Sequence, residues 1–399
     1  VDLNDKETWR IEPKQVERAV KDGRHDAKNP IFNWRKVVAQ ESVRHERWNA
    51  NRNVLAWKFL TGVEYNDPEK FPYSAVIDRK LGVKDAMALL RLHEDYIGQD
   101  QELYHSKSEG ICRTTSHDSI VYNLTADPTL TEAWKTLGRP CQSVFVPLYP
   151  LAGPAKGTAF TDPATATKEH FAGTPAMFDY RADFTPHSVF SASNNAIDYL
   201  RGDELAKRTQ LIQAEEDKFM KDRAAVTKKA AGLKGEERMK FLHDYNQKSY
   251  DHVLKIMQAE NARLMPNKVK ILADVVKADG DGTVDFALLG AKGHEVLSAN
   301  MEATRAGMSA NQLNSTRQWK NFAPAEKMVY KDVNNDGITD VVFTFKAKDV
   351  TKGAVAGAAM DLWLYTQING HRVTGFDVVP VENDKVKMNK GARDGKGLL

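Results

Sequence analysis

Residues Glu109–Tyr149 read EGICRTTSHDSIVYNLTADPTLTEAWKTLGRPCQSVFVPLY, and the reading of this stretch decides the fold. Two segments, Ile111–Leu124 and Ser143–Leu148, are rich in Ile, Val, Phe, Tyr and Thr, the residues that suit a pleated, half-buried surface. Between them Asp127-Pro128 and Gly138-Arg139-Pro140 punctuate the chain rather than continue a strand. The stretch therefore reads as a buried β-pair joined by a polar loop. Arg113 falls inside the sheet region on this reading. A guanidinium keeps its charge there, so it must face a polar cleft, an acidic partner or an anionic ligand, or else sit on an edge strand in contact with water.

On the amino-terminal side the pattern is helical. Glu12-Pro13 followed by KQVERAV starts a short helix, and NWRKVVAQESVRHERWNANRNVLAWKFLTG spaces its aromatic and aliphatic residues for a second one closed by Gly62. KLGVKDAMALLRLHEDY brings Val83, Ala86, Met87, Leu90 and Leu92 near one face of a third, with its acidic residues and histidine on the wet face. On the carboxy-terminal side, Leu151–Ala176 is loop-like, and DYRADFTPHSVFSASNNAIDYL ends in a helix for which Ser191, Ser193 or Asn194 is the candidate cap. Asp203–Arg263 reads as a helical hairpin turning at AAGLKGEE. Leu205, Leu211, Ile212, Phe219, Phe241, Leu242, Tyr245, Val253, Leu254 and Met257 form its apolar stripe, and its Lys and Glu residues form the solvated side.

At Met265-Pro266-Asn267 the period changes from helical to alternating. KVKILADVVK, GTVDFALLG, DVVFTFKAKDV, MDLWLYTQI and RVTGFDVVPV read as strands, separated by turns at 279–282, 334–337 and Asn369-Gly370. This spacing predicts a β-sandwich with a boundary near residue 266. The final NKGARDGKGLL is polar and Gly-rich, a flexible tail.

A net charge of +3, with Lys and Glu interspersed, provides no basic patch for nucleic acid. No apolar run reaches the length of about 18 residues that a membrane-spanning helix requires. The chain opens at Val1 without a methionine, as a processed product or an excised fragment would. Cys112 and Cys141 permit one disulfide or two reduced core thiols, and neither belongs to a CxxC. DVNNDGITD places Asp332, Asn334, Asp336 and Asp340 in the spacing of a calcium loop. The twelfth-position Glu is absent, and Asp-Gly between two strands equally suits a hairpin turn. The eleven histidines show no HExxH. His117 beside Asp118 and Ser116 cannot form a triad if the three alternate along a strand.

ICRTTSHDSIVYNL followed by WKTLGRPCQSVFVPLY resembles the paired signature of the bacterial dipeptidase family of cysteine amino-terminal-nucleophile (Ntn) hydrolases. SAVIDRKLGVKDAMALLRLHEDY and FDYRADFTPHSVFSASNNAIDYL resemble flanking segments of that family in the same order, so the resemblance spans about residues 8–260. It implies an α+β fold in which 1–265 is part of a four-layer αββα Ntn sandwich, incomplete on this chain and ending in the hairpin 203–263. An immunoglobulin-like sandwich over 266–384 and the tail 385–399 follow. The family works through an amino-terminal Cys whose own amine is the base. Here residue 1 is Val and both cysteines are internal. The resemblance then implies a large chain cut from a precursor and paired with a smaller chain that carries the Cys, in a periplasmic or extracellular protease needing no cofactor beyond a candidate structural calcium. Arg113 would stand near the nucleophile or orient the substrate carboxylate, with Thr114, Ser116 and Ser143 lining the cleft. A non-catalytic surface or assembly protein that keeps the Ntn scaffold and binds through its sandwich is the alternative.

Overall fold

The structure is a computed structural model. It describes residues 12–30, 32, 47–63, 75–93, 110–112, 116, 118–155, 189–200, 203–308, 322–352 and 358–383. Arg113, Thr114, His117, most of the 151–176 loop and the carboxy-terminal tail lie outside the described residues. The fold is mixed α+β with several antiparallel sheets. It divides into two compact units, Val1–Tyr96 with Ser108–Ile111, and Ile97–Lys107 with Cys112–Leu399.

Among the described residues of the first unit, three helices appear, α1 (Pro13–Lys21), α2 (Arg47–Thr61) and α3 (Val83–Leu90). Pro13 begins α1, where a missing N–H costs nothing. Gly62 ends α2 at φ +74°, donating its N–H to the Lys58 carbonyl at 2.8 Å. Asp85 returns to the start of α3 and accepts from the Gly82 N–H at 2.8 Å. Hydrogen bonds from that amide and from Arg79 hold its carboxyl below the usual carboxylate range. Of the face expected on α3, Met87 is buried and the rest are half-buried; Leu92 lies past the helix end.

The second unit opens with a three-stranded antiparallel sheet, β1 (Ser119–Asn123), β2 (Glu132–Thr136) and β3 (Val146–Leu148), in the order β1-β2-β3. The expected β-pair is thereby corrected. The two segments singled out do contribute strands, but these do not pair with each other, because the intervening EAWKT is itself the central strand. A buried centre explains its composition: Ala133 and Trp134 are enclosed, and so is Glu132, whose carboxylate takes hydrogen bonds from Arg223 and Trp134. Asp127-Pro128 does punctuate, as a 3₁₀ turn. Asp127 caps it by accepting from the Thr129 amide at 3.0 Å and hydroxyl at 2.6 Å.

Helix α4 (Val189–Leu200) and the hairpin α5 (Asp203–Gly232) and α6 (Gly235–Leu264) follow, with the turn where AAGLKGEE places it. Ile212, Phe219, Leu242, Val253 and Met257 are buried along the facing stripes. Two expectations fail here for one reason. Ser193 and Asn194 lie inside α4, fully enclosed, rather than capping it, and Glu215 and Glu216 of α5 are buried rather than solvated. Asn194 meets Ser143, Glu215 takes Lys218 and His252, and Glu216 accepts from the Phe145 amide, and such pairing is what allows polar groups below the surface.

From residue 266 two sheets stack face to face. One has the order β4-β6-β10-β9, from Val269–Ile271, Thr283–Leu288, Asp340–Lys346 and Lys327–Lys331. The other has the order β5-β12-β11-β7-β8, from Val276–Lys277, His371–Glu382, Ala358–Ile368, Arg305–Met308 and Ala323–Pro324. A short helix α7 (Ala347–Val350) ends β10. Phe286, Phe343, Phe345, Met360, Leu362 and Val379 meet in the shared core. The β11–β12 hairpin turns at Asn369 and Gly370, both at positive φ (51° and 76°), as a primed two-residue turn requires. The alternate residues of β11 do not reach water. Trp363 and Tyr365 pack with Ala196, Ile197 and Leu264 of α4 and α6, so this sheet is covered on both faces.

Candidate functional site

A buried polar cluster lies where the 138–149 segment runs beneath α4, α5 and α6. It begins at Gly138, held at φ +152°. A Cβ there would stand 2.6 Å from Asn194 Nδ2 and 2.7 Å from Ser143 Oγ, so only glycine admits the helix this close. The next residues form a turn in which the Gln142 N–H donates to the Arg139 carbonyl at 3.0 Å.

That turn presents one buried arginine and receives another. Arg139 is 1% exposed and Arg208 is 0% exposed. Arg139 donates through Nη2 to Asn195 Oδ1 at 2.6 Å, and through Nη1 to Gln142 Oε1 at 3.3 Å. Arg208, arriving from α5, donates through Nη1 to the backbone carbonyl of Gln142 at 3.1 Å and to Met257 Sδ at 3.3 Å. Its Nε lies 3.5 Å from Glu260 Oε2, an ion pair rather than a hydrogen bond. Nε and Nη2 make no hydrogen bond, and neither does Asn194 Oδ1. Burial pushes Arg208 down to about 10, with Glu260 opposing the shift. A guanidinium with idle donors in a dry setting attracts negative charge.

The network continues along the strand that leaves the turn. The Phe145 amide donates to Glu216 Oε1 at 2.8 Å. The Tyr149 amide donates to Asn246 Oδ1 at 2.7 Å, while Asn246 Nδ2 donates back to the Tyr149 carbonyl at 3.0 Å. This side-chain amide imitates a strand neighbour and satisfies a backbone that has no ladder partner on that side. Arg223 pairs with the buried Glu132 at 2.7 Å. Burial raises Tyr149, and it raises Tyr245, 5.9 Å away ring to ring, to about 12. Glu215 is drawn up by burial, but hydrogen bonds from Lys218 and His252 outweigh this and leave its carboxyl below the ordinary value.

The expected site residues distribute as follows. Ser143 belongs to the cluster, 3% exposed, its Oγ accepting from Asn194 Nδ2 at 3.0 Å. Ser116 is half-buried. Arg113 and Thr114 lie outside the described residues. Cys112 sits in a bend and Cys141 in the turn after Arg139; both are buried, and no disulfide joins them. The calcium-loop residues close on themselves. Asp332 accepts from the Gly337 amide at 2.9 Å and Asn334 donates to Asp336 at 2.8 Å. Asp340, fully buried, gives one oxygen to the Gly290 amide and the other to the Val333 amide, each at 2.8 Å. As placed, this loop engages its carboxylates with backbone amides, the arrangement of a built turn.

A second concavity, about 340 Å3, opens where α5 and α6 meet β12 and is lined by Asp203, Glu204, Lys207, Arg263, His371 and Arg372 among others. Its charges largely answer one another, since Glu204 takes Lys207 at 2.9 Å and Arg263 at 2.6 Å.

Reasoning from sequence missed Arg139, Gln142, Asn194, Asn195 and Arg208. For Arg208 the signal was present: it stands three residues after Leu205 and four before Ile212, on the apolar stripe of α5. Arg139 was read only as punctuation between Gly138 and Pro140. Models of known protein families and the curated proteins contain no match to this chain.

Proposed function

We propose that this chain is the large subunit of a dipeptidase-like cysteine Ntn hydrolase that cleaves peptide or other linear amide bonds with a nucleophilic cysteine carried on a smaller partner chain. The resemblance of 111–148 and its flanks to that family motivates the reading. One observation in the fold supports it most. The β1–β3 sheet is covered by helices on the face of Val121, Glu132 and Trp134, where Arg223 of α5 reaches Glu132. On the opposite face the β1 residues Ile120 and Tyr122 and the following Leu124 are 38%, 57% and 78% exposed, while Ala133 of β2 and Val146 of β3 on that face are buried. Among the described residues, an apolar β1 edge exposed beside an otherwise enclosed sheet suits a second layer, as an αββα sandwich supplies. The immunoglobulin-like description of the 266–384 sandwich belongs to the same reading, as does an extracytoplasmic location.

In this assignment the partner's thiolate attacks the scissile carbonyl, the departing amine takes its proton from the partner's α-ammonium, and water then hydrolyses the thioester. Arg113 orients the substrate carboxylate or stabilises the thiolate, with Thr114 and Ser116 nearby. Arg139 and Arg208 brace the turn from beneath. Cys112 and Cys141 are internal and 1% and 8% exposed, so neither combines a free amine with access to substrate. The test is intact-mass analysis of the native protein together with dipeptide hydrolysis. A second, smaller polypeptide beginning with Cys and required for turnover is the expected result. A partner whose Cys is replaced, with no turnover, selects the non-catalytic scaffold instead.

A further inference from the structure

The two cysteines have no part in that hydrolysis, yet they lie side by side. Cys112 precedes β1 and Cys141 follows β2, so the chain brings both to the open end of the β1–β2 hairpin, where Ser119 pairs with Thr136, and their sulfurs are within 4.8 Å of one another. Both are buried thiols. A disulfide brings sulfurs to about 2.05 Å, so the gap to close is small. Each residue sits in irregular chain, a bend for Cys112 and a turn for Cys141, where side-chain rotation and a small backbone adjustment break no ladder.

We propose that Cys112 and Cys141 are a covalent modification site: exposed to a disulfide oxidant, they form an intramolecular disulfide that ties together the two chain segments at the open end of the β1–β2 hairpin. The chemistry is thiol–disulfide exchange. Cys141, the more accessible at 8% exposure against 1% for Cys112, attacks one sulfur of the oxidant as its thiolate and releases one thiol, leaving a mixed disulfide. The Cys112 thiolate then attacks the Cys141 sulfur, expels the second thiol and completes the bridge. Two protein thiols lose two protons and two electrons, and the oxidant's S–S bond becomes two thiols. The buried charge of Arg208 attracts a Cys141 thiolate, which favours the entering nucleophile.

The bridge acts on the candidate site directly, because Cys141 lies in the turn between Arg139, which binds Asn195, and Gln142, which receives Arg208. Tying Cys141 to Cys112 removes freedom from that turn in the unfolded chain and restrains it in the folded one.

The full chain is equilibrated in glutathione buffers from fully reduced to strongly oxidising, quenched with acid, unfolded, alkylated and weighed intact. The expected result is a passage from two alkyl groups to none with the loss of two hydrogens, a 112–141 cross-linked peptide on digestion, and a melting temperature that rises on oxidation and falls back on reduction. In Cys112→Ser, glutathione remains on Cys141 at the same oxidising poise. Two alkyl groups across the whole series, disulfide-linked dimers, or glutathione adducts in the unsubstituted chain that never resolve to the bridge would each overturn the proposal. The unsubstituted chain decides the bridge even if the variant fails to fold.

Discussion

Arg208 of helix α5 and Gln142 of the turn after β2 are joined by a hydrogen bond of 3.1 Å from the arginine Nη1 to the glutamine carbonyl oxygen. The same Gln142 accepts from Arg139 through its side chain at 3.3 Å, so one residue anchors two buried guanidinium groups. The two arginines are not equivalent. Arg139 is matched to side-chain and backbone oxygens of α4, whereas Arg208 leaves Nε and Nη2 without hydrogen bonds. The first is a fitted structural clamp, and the second holds charge at a cost in solvation.

Arg139→Met is expected to lower stability by about 2–4 kcal/mol, because Asn195 Oδ1 and Gln142 Oε1 lose their donor inside the protein. Arg208→Met removes a group that is already poorly satisfied, and a well-packed apolar replacement of a buried charge is often neutral. Its loss is expected to stay below about 1.5 kcal/mol in urea titrations. A larger loss for Arg208→Met than for Arg139→Met would contradict the contrast.

Gly138→Ala is expected to be among the most damaging small substitutions in the second unit. The new methyl would meet Asn194 Nδ2 at 2.6 Å and Ser143 Oγ at 2.7 Å, at a backbone φ of +152°. About 2–4 kcal/mol is expected from the clash and the strained backbone together. Gly62→Ala, at φ +74° with open space around it, should lose only about 1 kcal/mol.

Alkaline stability should fall through the tyrosine pair. Tyr245 is raised from 10.0 to about 12 in the folded chain, and Tyr149 is raised as well, both through burial first. Between pH 10 and about 12 the folded state holds a proton that the unfolded state has released, so stability present below pH 10 is lost as pH rises. Arg208 works in the opposite sense, since its lowered value of about 10 relieves a buried charge over the same range. Tyr245→Phe is expected to flatten the alkaline fall in unfolding free energy; an unchanged slope would place the proton elsewhere.

Asp340 is expected to be a structural acceptor whose value does not depend on calcium. Its two oxygens each take a backbone amide at 2.8 Å, from Gly290 and Val333. Asp340→Ala leaves both amides unpaired and should destabilise by about 2–4 kcal/mol. The loss should be equal in calcium and in chelator, and a penalty seen only with calcium present would restore a metal role to Asp332, Asn334, Asp336 and Asp340.

The legible parts of the fold were those where one period dominates. The 203–264 hairpin and its turn follow from helical spacing and turn residues, and the β6, β10, β11 and β12 strands follow from β-branched and aromatic runs bounded by turn residues. EAWKT escaped notice because a central strand is buried on both faces and shows no alternation, and its Glu132 and Lys135 imitate a loop. Strands β7, β8 and β9 are short or exposed and carry little signal. The polar cluster was hidden for a different reason. Asn194 with Ser143, Arg139 with Asn195, and Arg208 with Gln142 pair residues that are more than fifty positions apart, and no local pattern records a partner brought by tertiary folding.

The central claim is tested most directly by dipeptide hydrolysis with and without a smaller partner chain. The account predicts no turnover by the 399-residue chain alone, and turnover once it is joined by a chain whose first residue is Cys, lost again when that residue is alkylated. Hydrolysis by the isolated 399-residue chain would contradict it.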